Sequence, residues 1–148
     1  MKVERDIRLD ASPEEVWDVL MDPKRLADWV SIHQKLKQAP SGILNEGDEL
    51  IQCLRLMHKN FDVKWKVEQA DKPHKAVWEG RGPVRAKASV VYELKPDGNG
   101  GCRFHYVNEF KAPGGPFGSF FADRAFQGTS EREADRTLTN LKGLLERG

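Results

Sequence analysis

Residues 134–145 read Ala134-Asp135-Arg136-Thr137-Leu138-Thr139-Asn140-Leu141-Lys142-Gly143-Leu144-Leu145. Apolar residues at 134, 138, 141 and 145 fall on one helical face. Immediately upstream the pattern is different: from Ile32 to Lys111 the period is two, the signature of half-buried strands. Such strands make a sheet with one apolar face that needs a cover. A long C-terminal helix lying across it supplies that cover, and wherever the two do not meet a cavity remains. A container for a small molecule is therefore the leading expectation before any motif is read.

The strands can be followed outward from this helix. Phe104, Tyr106, Asn108 and Phe110 alternate with Arg103, His105, Val107 and Glu109. The hairpin turn Pro96-Asp97-Gly98-Asn99-Gly100-Gly101 precedes them, rich in residues that accept positive φ. Ala86, Ala88, Val90, Tyr92 and Leu94 share a face of the strand before. Ala76 and Trp78 belong to another, which ends at Gly80-Arg81-Gly82-Pro83. Phe61, Val63, Trp65 and Val67 alternate with Asp62, Lys64, Lys66 and Glu68 in the clearest strand of all. Asp71-Lys72-Pro73 is its far turn, and Lys59-Asn60 is expected to be its near one. Leu50, Gln52, Leu54 and Leu56 complete the apolar face, with Cys53, Arg55 and Met57 turned away.

At the other end of the chain, Val3, Arg5, Ile7 and Leu9 alternate as a first strand. Ser12 is a good N-cap, Pro13 suits the first helical position, and Glu15 completes a capping box. Val16, Trp17, Leu20 and Met21 form the apolar face of this short helix. Asp22-Pro23 repeats the signal for a second one carrying Leu26 and Trp29, and the pair can plug one end of the sheet. Residues 1–148 are expected to form one domain.

With 24 basic and 23 acidic residues the formal net charge is +1, which argues against a nucleic-acid binder and gives no hint of an anionic membrane. No apolar run approaches the roughly 18 residues that span a bilayer, and the N-terminus enters a strand directly without the look of a signal peptide. Cys53 and Cys102 lie in separate strands and read as free thiols in a reducing cytoplasm. The protein is expected to be cytoplasmic, without stable membrane insertion, and a monomer or homodimer.

The last helix is expected from about Phe117 to Leu145, about seven turns, after the break Ala112-Pro113-Gly114-Gly115-Pro116. Run backward, its stripe meets Glu131, Gln127, Arg124 and Phe120, so its middle offers polar residues where a core helix should be apolar. Two readings stand side by side. Either the helix kinks at Gly128 and Ser130 caps a second segment through Glu133, or this stretch lines a partly polar pocket.

Little else suggests chemistry. His33, His58, His74 and His105 are scattered without metal-ligand spacing. Neither GxSxG nor a phosphate-binding loop is present, and the glycines from Gly98 to Gly101 lack the helix N-terminus a phosphate would want. No cofactor or metal is expected, and no residue set stands out as catalytic. The aromatics Trp65, Trp78, Tyr92, Phe104 and Tyr106 share the presumed concave face. They read as core or as the wall of an apolar cavity in which Tyr92, Tyr106 and Asn108 could orient a ligand. A cavity of roughly 300–1,000 Å³ is expected, with a wall including Leu54, Trp65, Trp78, Tyr92, Tyr106 and Phe120.

The order strand, two helices, six strands, long helix resembles the START-like superfamily, also called SRPBCC or polyketide cyclase/dehydrase and lipid transport proteins. The resemblance is carried by Ala11-Ser12-Pro13-Glu14-Glu15-Val16-Trp17-Asp18-Val19-Leu20 with Asp22-Pro23 and Trp29, and by Trp65-Lys66-Val67-Glu68 with Pro73 and Trp78-Glu79-Gly80. Tyr106-Val107-Asn108-Glu109-Phe110 with Gly114-Gly115-Pro116-Phe117 and the length of the final helix complete it. It implies an α+β helix-grip fold: a curved antiparallel sheet of about seven strands wrapped around the C-terminal helix, with two short helices after the first strand. It also implies that His33, following the second short helix, lies at the pocket mouth. Aromatase/cyclase members resemble this chain around Asn108-Glu109-Phe110 and Gly115-Pro116-Phe117, but the polar residues they place on the central hairpin are replaced by Val63, Trp65 and Val67. A one-residue slip would turn Lys64, Lys66 and Glu68 inward instead.

The expected ligand-binding set is Trp29, His33, Leu54, Trp65, Trp78, Tyr92, Tyr106, Asn108, Phe120, Arg124, Gln127 and Glu131. The leading expectation is a carrier or sensor of a hydrophobic small molecule such as a lipid or polyketide. The alternatives are a cyclase-like enzyme that positions its substrate with weak acid/base help from Tyr92, Tyr106, Asn108 or Glu131, and a chaperone-activator-like protein-binding module.

Overall fold

The computed structural model describes residues 1–111 and 124–146. Its strands are β1 (Lys2–Leu9), β2 (His33–Gln38), β3 (Glu49–Leu56), β4 (Lys59–Asp71), β5 (Lys75–Arg81), β6 (Lys87–Pro96) and β7 (Cys102–Lys111). Its helices are α1 (Pro13–Leu20), α2 (Leu26–Trp29) and α3 (Arg124–Glu146). The strands form one antiparallel sheet in the order β1-β7-β6-β5-β4-β3-β2. The first strand thus pairs with the last, Val3 opposite Asn108 and Ile7 opposite Phe104. Both short helices sit in the connection from β1 to β2, as the cap signals predict. Ser12 Oγ accepts the Glu15 backbone N–H at 3.2 Å, and its hydroxyl donates to the Glu15 carboxylate at 3.1 Å. Asp22 Oδ1 accepts the Lys24 N–H at 3.1 Å and caps a 3-10 turn, Pro23–Arg25, which runs directly into α2; α2 has no side-chain cap of its own.

Parity along the strands follows the alternation in the sequence. Val63, Trp65 and Val67 are buried while Lys64, Lys66 and Glu68 are exposed, so the one-residue slip does not occur. Leu50, Gln52, Leu54 and Leu56 likewise face inward. One turn differs from expectation. Leu56 pairs directly with Lys59, which makes Met57 and His58 the turn residues, both in the left-handed region (φ 52° and 66°), and puts Asn60 in β4. Either turn keeps the same side chains on the same face, so the apolar pattern could not choose between them. Gly80, on the inward face of β5, has a structural purpose: a Cβ there would lie 2.6 Å from Trp65 Cε3 and 2.7 Å from Val63 Cγ1. Its bare backbone is what lets the Trp65 ring lie against β5.

Helix α3 runs 23 residues without interruption, through Gly128. The alternative in which Ser130 caps a separate segment is not what forms. Residues 117–123, the expected first turns, lie outside the described residues. Phe126, Ala134, Thr137, Leu138 and Leu141 are buried, whereas Leu145 is only half-buried near the helix end. Asn140 Nδ2 donates to the Trp29 carbonyl at 3.3 Å, and Arg5 pairs with Asp135 at 2.7 Å, tying α3 to α2 and β1. No helix among the described residues is long and apolar enough to cross a membrane.

Candidate ligand site

A cavity lies between the sheet, α2 and the middle of α3. Strands β3 to β7 present Leu54, Trp65, Trp78, Tyr92, Tyr106 and Asn108 to it, and α2 presents Trp29. Its volume is about 70 Å³, well below the expected range. The aromatic side chains account for the difference, because they pack on one another instead of standing apart. Tyr92 is the hub, with ring centroids at 5.7 Å to Trp78, 5.9 Å to Trp29, 5.8 Å to Phe104 and 6.1 Å to Tyr106. Beside the cavity and sharing Ile32, Leu56 and Glu133 with it runs an open groove of about 540 Å³. The groove passes between the Met57–His58 turn and Thr129, Glu133 and Arg136 of α3.

Helix α3 turns Ser130, Glu133, Ala134 and Thr137 to the cavity, not Gln127 and Glu131. The expected phase followed steps of seven residues, and an α-helix drifts about 20° per such step. Two steps back from Leu141 or Leu145 are enough to leave the inward face. Gln127 Nε2 instead donates to Glu131 Oε1 at 2.9 Å, both side chains half-buried outside the cavity lining. Arg124 begins α3, but its side chain is outside the described residues, as is Phe120.

The donor inventory is one-sided. Among the described residues the fully buried indole N–H groups of Trp29 and Trp78 have no partner, and neither has the buried Ser130 hydroxyl. Asn108 Nδ2 donates to the Tyr106 hydroxyl oxygen at 3.2 Å, which leaves the Tyr106 O–H free to donate. Burial pushes the Tyr92 phenol well above its ordinary pKa, helped by Tyr106. Burial also raises Tyr106, against the opposing effect of Asn108. Both are therefore neutral phenols at physiological pH. Glu133 is the one carboxylate among the described lining residues, and both its oxygens are engaged. Ser31 Oγ donates to Oε2 at 2.6 Å, and Arg136 Nη1 lies 3.3 Å from Oε1.

Gln52 is a site residue that the sequence reading placed on the inward face without singling it out. A polar residue among Leu50, Leu54 and Leu56 was the available signal. The Trp65 indole N–H, which can only donate, donates to Gln52 Oε1 at 3.0 Å, and this turns the amide nitrogen toward His33 Nδ1 at 2.8 Å. His33 must accept there, so its proton sits on Nε2 and the ring is neutral. Burial lowers the His33 pKa in the same sense. His33 does not line the cavity; it reaches the wall through Gln52. Ser130, Glu133 and Thr137 were also missed, for want of the helix phase. Among the described residues no cluster of His, Cys, Asp and Glu could hold a metal ion.

An antiparallel sheet gripping a long C-terminal helix over an internal cavity, with two short helices after the first strand, is the helix-grip fold of START-like proteins. Residues 1–146 match the family described as "Polyketide cyclase / dehydrase and lipid transport", and the chain belongs to it. An uncharacterised protein of Mycobacterium tuberculosis is 29% identical over 133 residues, 88% of this chain and 91% of its own. A conserved protein from Geobacillus kaustophilus superposes with a TM-score of 0.79 at 18% identity, covering 99% of this chain and 96% of that one. The Zhui aromatase/cyclase from Streptomyces sp. R1128 superposes at 0.77 with 14% identity, over 99% and 94%. At these identities the likeness establishes the fold.

Proposed function

We propose that this chain is a carrier or sensor of a hydrophobic small molecule that bears hydrogen-bond acceptors. The observation that carries the reading is the pair of buried indole N–H groups of Trp29 and Trp78, without a partner among the described residues, beside an apolar cavity. A buried donor without a partner costs about 1–3 kcal/mol, and an acceptor on a ligand would recover it. A plain hydrocarbon would not. Size shapes the reading further. A cavity of about 150 Å³ is known to hold benzene, so about 70 Å³ admits the end of a molecule, a carbonyl or ring edge. The body lies in the adjoining groove against Ile32, Leu56 and Met57. Trp65, Leu54, Tyr92, Tyr106 and Asn108 form the wall in this reading, with His33 acting through Gln52. The whole chain serves as one ligand-binding domain.

Titration of tryptophan emission with an aromatic hydrocarbon and with a ketone of the same ring system tests it. The ketone is expected to bind more tightly. Equal affinities would remove the donors from recognition, and no response to either would end the container reading.

Cyclase-like catalysis is the second reading, favoured by the family and by the Tyr106 O–H, which Asn108 holds as a donor. A neutral phenol can protonate or hydrogen-bond a carbonyl oxygen, and such help is typically worth 10²–10⁴-fold. A Tyr106→Phe variant that kept ligand affinity and lost turnover by that factor would establish the enzyme.

A further inference from the structure

The sheet register brings together cations that the sequence scatters. On the outward face Lys64 lies opposite Arg81, Arg81 opposite Lys87, and Lys87 opposite Lys111. All four are exposed. Neighbouring strands are about 4.8 Å apart, so these four charges form a row about 14 Å long across β4 to β7. Like charges directly opposite one another destabilise a sheet, so the row has no structural rationale. Lys64 is 3.9 Å from Glu49 and Lys111 is 3.4 Å from Glu109. Among the described residues no carboxylate pairs with Arg81 or Lys87. The next row back from the β5–β6 turn mixes signs, Lys66 opposite Glu79 and Ser89 opposite Glu109. At the far end of the sheet Lys95, Arg103 and Arg8 also stand opposite one another, but there Arg103 pairs with Asp6 and Arg8 with Asp97. The unpaired cations Arg81 and Lys87 therefore distinguish this rim.

That rim carries a second anomaly. The turn between β5 and β6 ends in Val84 and Arg85, both in the left-handed region (φ 55° and 63°). A β-branched residue is a genuine outlier there. Val84 is also the one large apolar side chain that is exposed among the described residues, at 58%. A conformation that disfavours valine thus holds an apolar side chain out into solvent, in a turn that also carries Arg85 and is flanked in the chain by Arg81 and Lys87. The cavity approaches the same end of the sheet, since Leu56 and Phe110, the latter one residue before Lys111, both line it.

We propose that this rim docks on an anionic lipid surface, with the cation row at the headgroups and Val84 inserted among them. An exposed apolar side chain in a turn flanked by cations complements a bilayer interface, where burial and charge act together. Nucleic acid complements it less well, because no aromatic is exposed beside the row among the described residues to stack on bases. The net charge of +1 conceals the rim, since it averages over both faces. Docking stands independently of what the cavity binds, and it would bring the groove near a source of apolar molecules.

The test is co-sedimentation of the full chain with phosphatidylcholine vesicles and with vesicles of equal parts phosphatidylcholine and phosphatidylglycerol. Binding to the anionic vesicles alone is expected, weakening as salt is raised. Arg81→Gln and Lys87→Gln are each expected to lower partitioning about fivefold. Val84→Asn is expected to lower it about tenfold. Asparagine suits the left-handed conformation better than valine, so the Val84→Asn protein should melt no lower than the parent, which separates lost docking from lost fold. Failure to bind anionic vesicles would overturn the proposal, as would equal binding to neutral ones. So would wild-type binding by Val84→Asn, or tighter binding of a mixed-sequence oligonucleotide than of vesicles.

Discussion

The two halves of α3 cover one sheet, yet one half closes the core and the other leaves it open. Around Leu138 and Leu141 the helix is sealed, and Asn140 fastens it to the Trp29 carbonyl. Over the two turns before Leu138 the inward positions are the small Ser130, Ala134 and Thr137 together with Glu133, and the cavity lies against them. Backbone and hydrogen bonding continue unchanged through both halves. The difference lies in the side chains at the inward positions, small or polar against leucine, and it teaches that anchoring and binding are separable along this helix. A well-packed C-terminal half can hold α3 in place while the other half tolerates unpartnered groups.

The largest expected effect tests the closed half. Leu141→Ala should cost about 2–5 kcal/mol in urea denaturation and leave ligand preference unchanged. A cost below about 1 kcal/mol would mean that the anchor lies elsewhere. Next comes the wall facing the open half. Gln52→Leu strands the Trp65 indole N–H and should cost about 1–3 kcal/mol, despite the added apolar surface. At the open half itself, Ser130→Ala should not lower stability and should raise it by up to about 1–3 kcal/mol, because the buried hydroxyl has no partner to lose among the described residues. A large loss there would show that the two halves are not distinct. The smallest effect is a pH dependence. Because burial lowers the folded-state pKa of His33, the neutral ring's contribution is fully present above the unfolded value of about 6.5. It is lost as pH falls from there through the folded value. Denaturation of wild type and His33→Gln from about pH 8 to about pH 5 should show a steeper decline for wild type. Parallel curves would detach His33 from the wall.

What the sequence made legible was parity. Phe61 to Val67 alternates without a break, and Ala86 to Leu94 and Phe104 to Phe110 do so apart from Val91, Val107 and Asn108; that alternation decides which face is buried. Ser12 marked α1, and Asp22 marked the 3-10 turn Pro23–Arg25 that leads into α2, because their caps are local chemistry. Features that depend on distant parts of the chain were not legible. The Met57–His58 turn escaped because its alternative preserves parity. The helix phase at Ser130 and Glu133 escaped because a polar stretch offers no stripe to follow, and stepping by sevens accumulates drift. The small cavity follows from how Trp29, Trp78 and Tyr106 crowd Tyr92, which no spacing along the chain expresses. The cation row exists only once four strands have found their register.

Gly80 bears on all of this in one further way. Its missing side chain is the reason the Trp65 ring can lie against β5, and Trp65 also walls the cavity. A methyl group at position 80 would displace that ring, and the free space beside it is the cavity. Position 80 is thus a dial on capacity: a related chain with alanine there would hold a smaller guest or none. One with glycine there and a slimmer residue at 65 would hold a larger one, on an unchanged backbone.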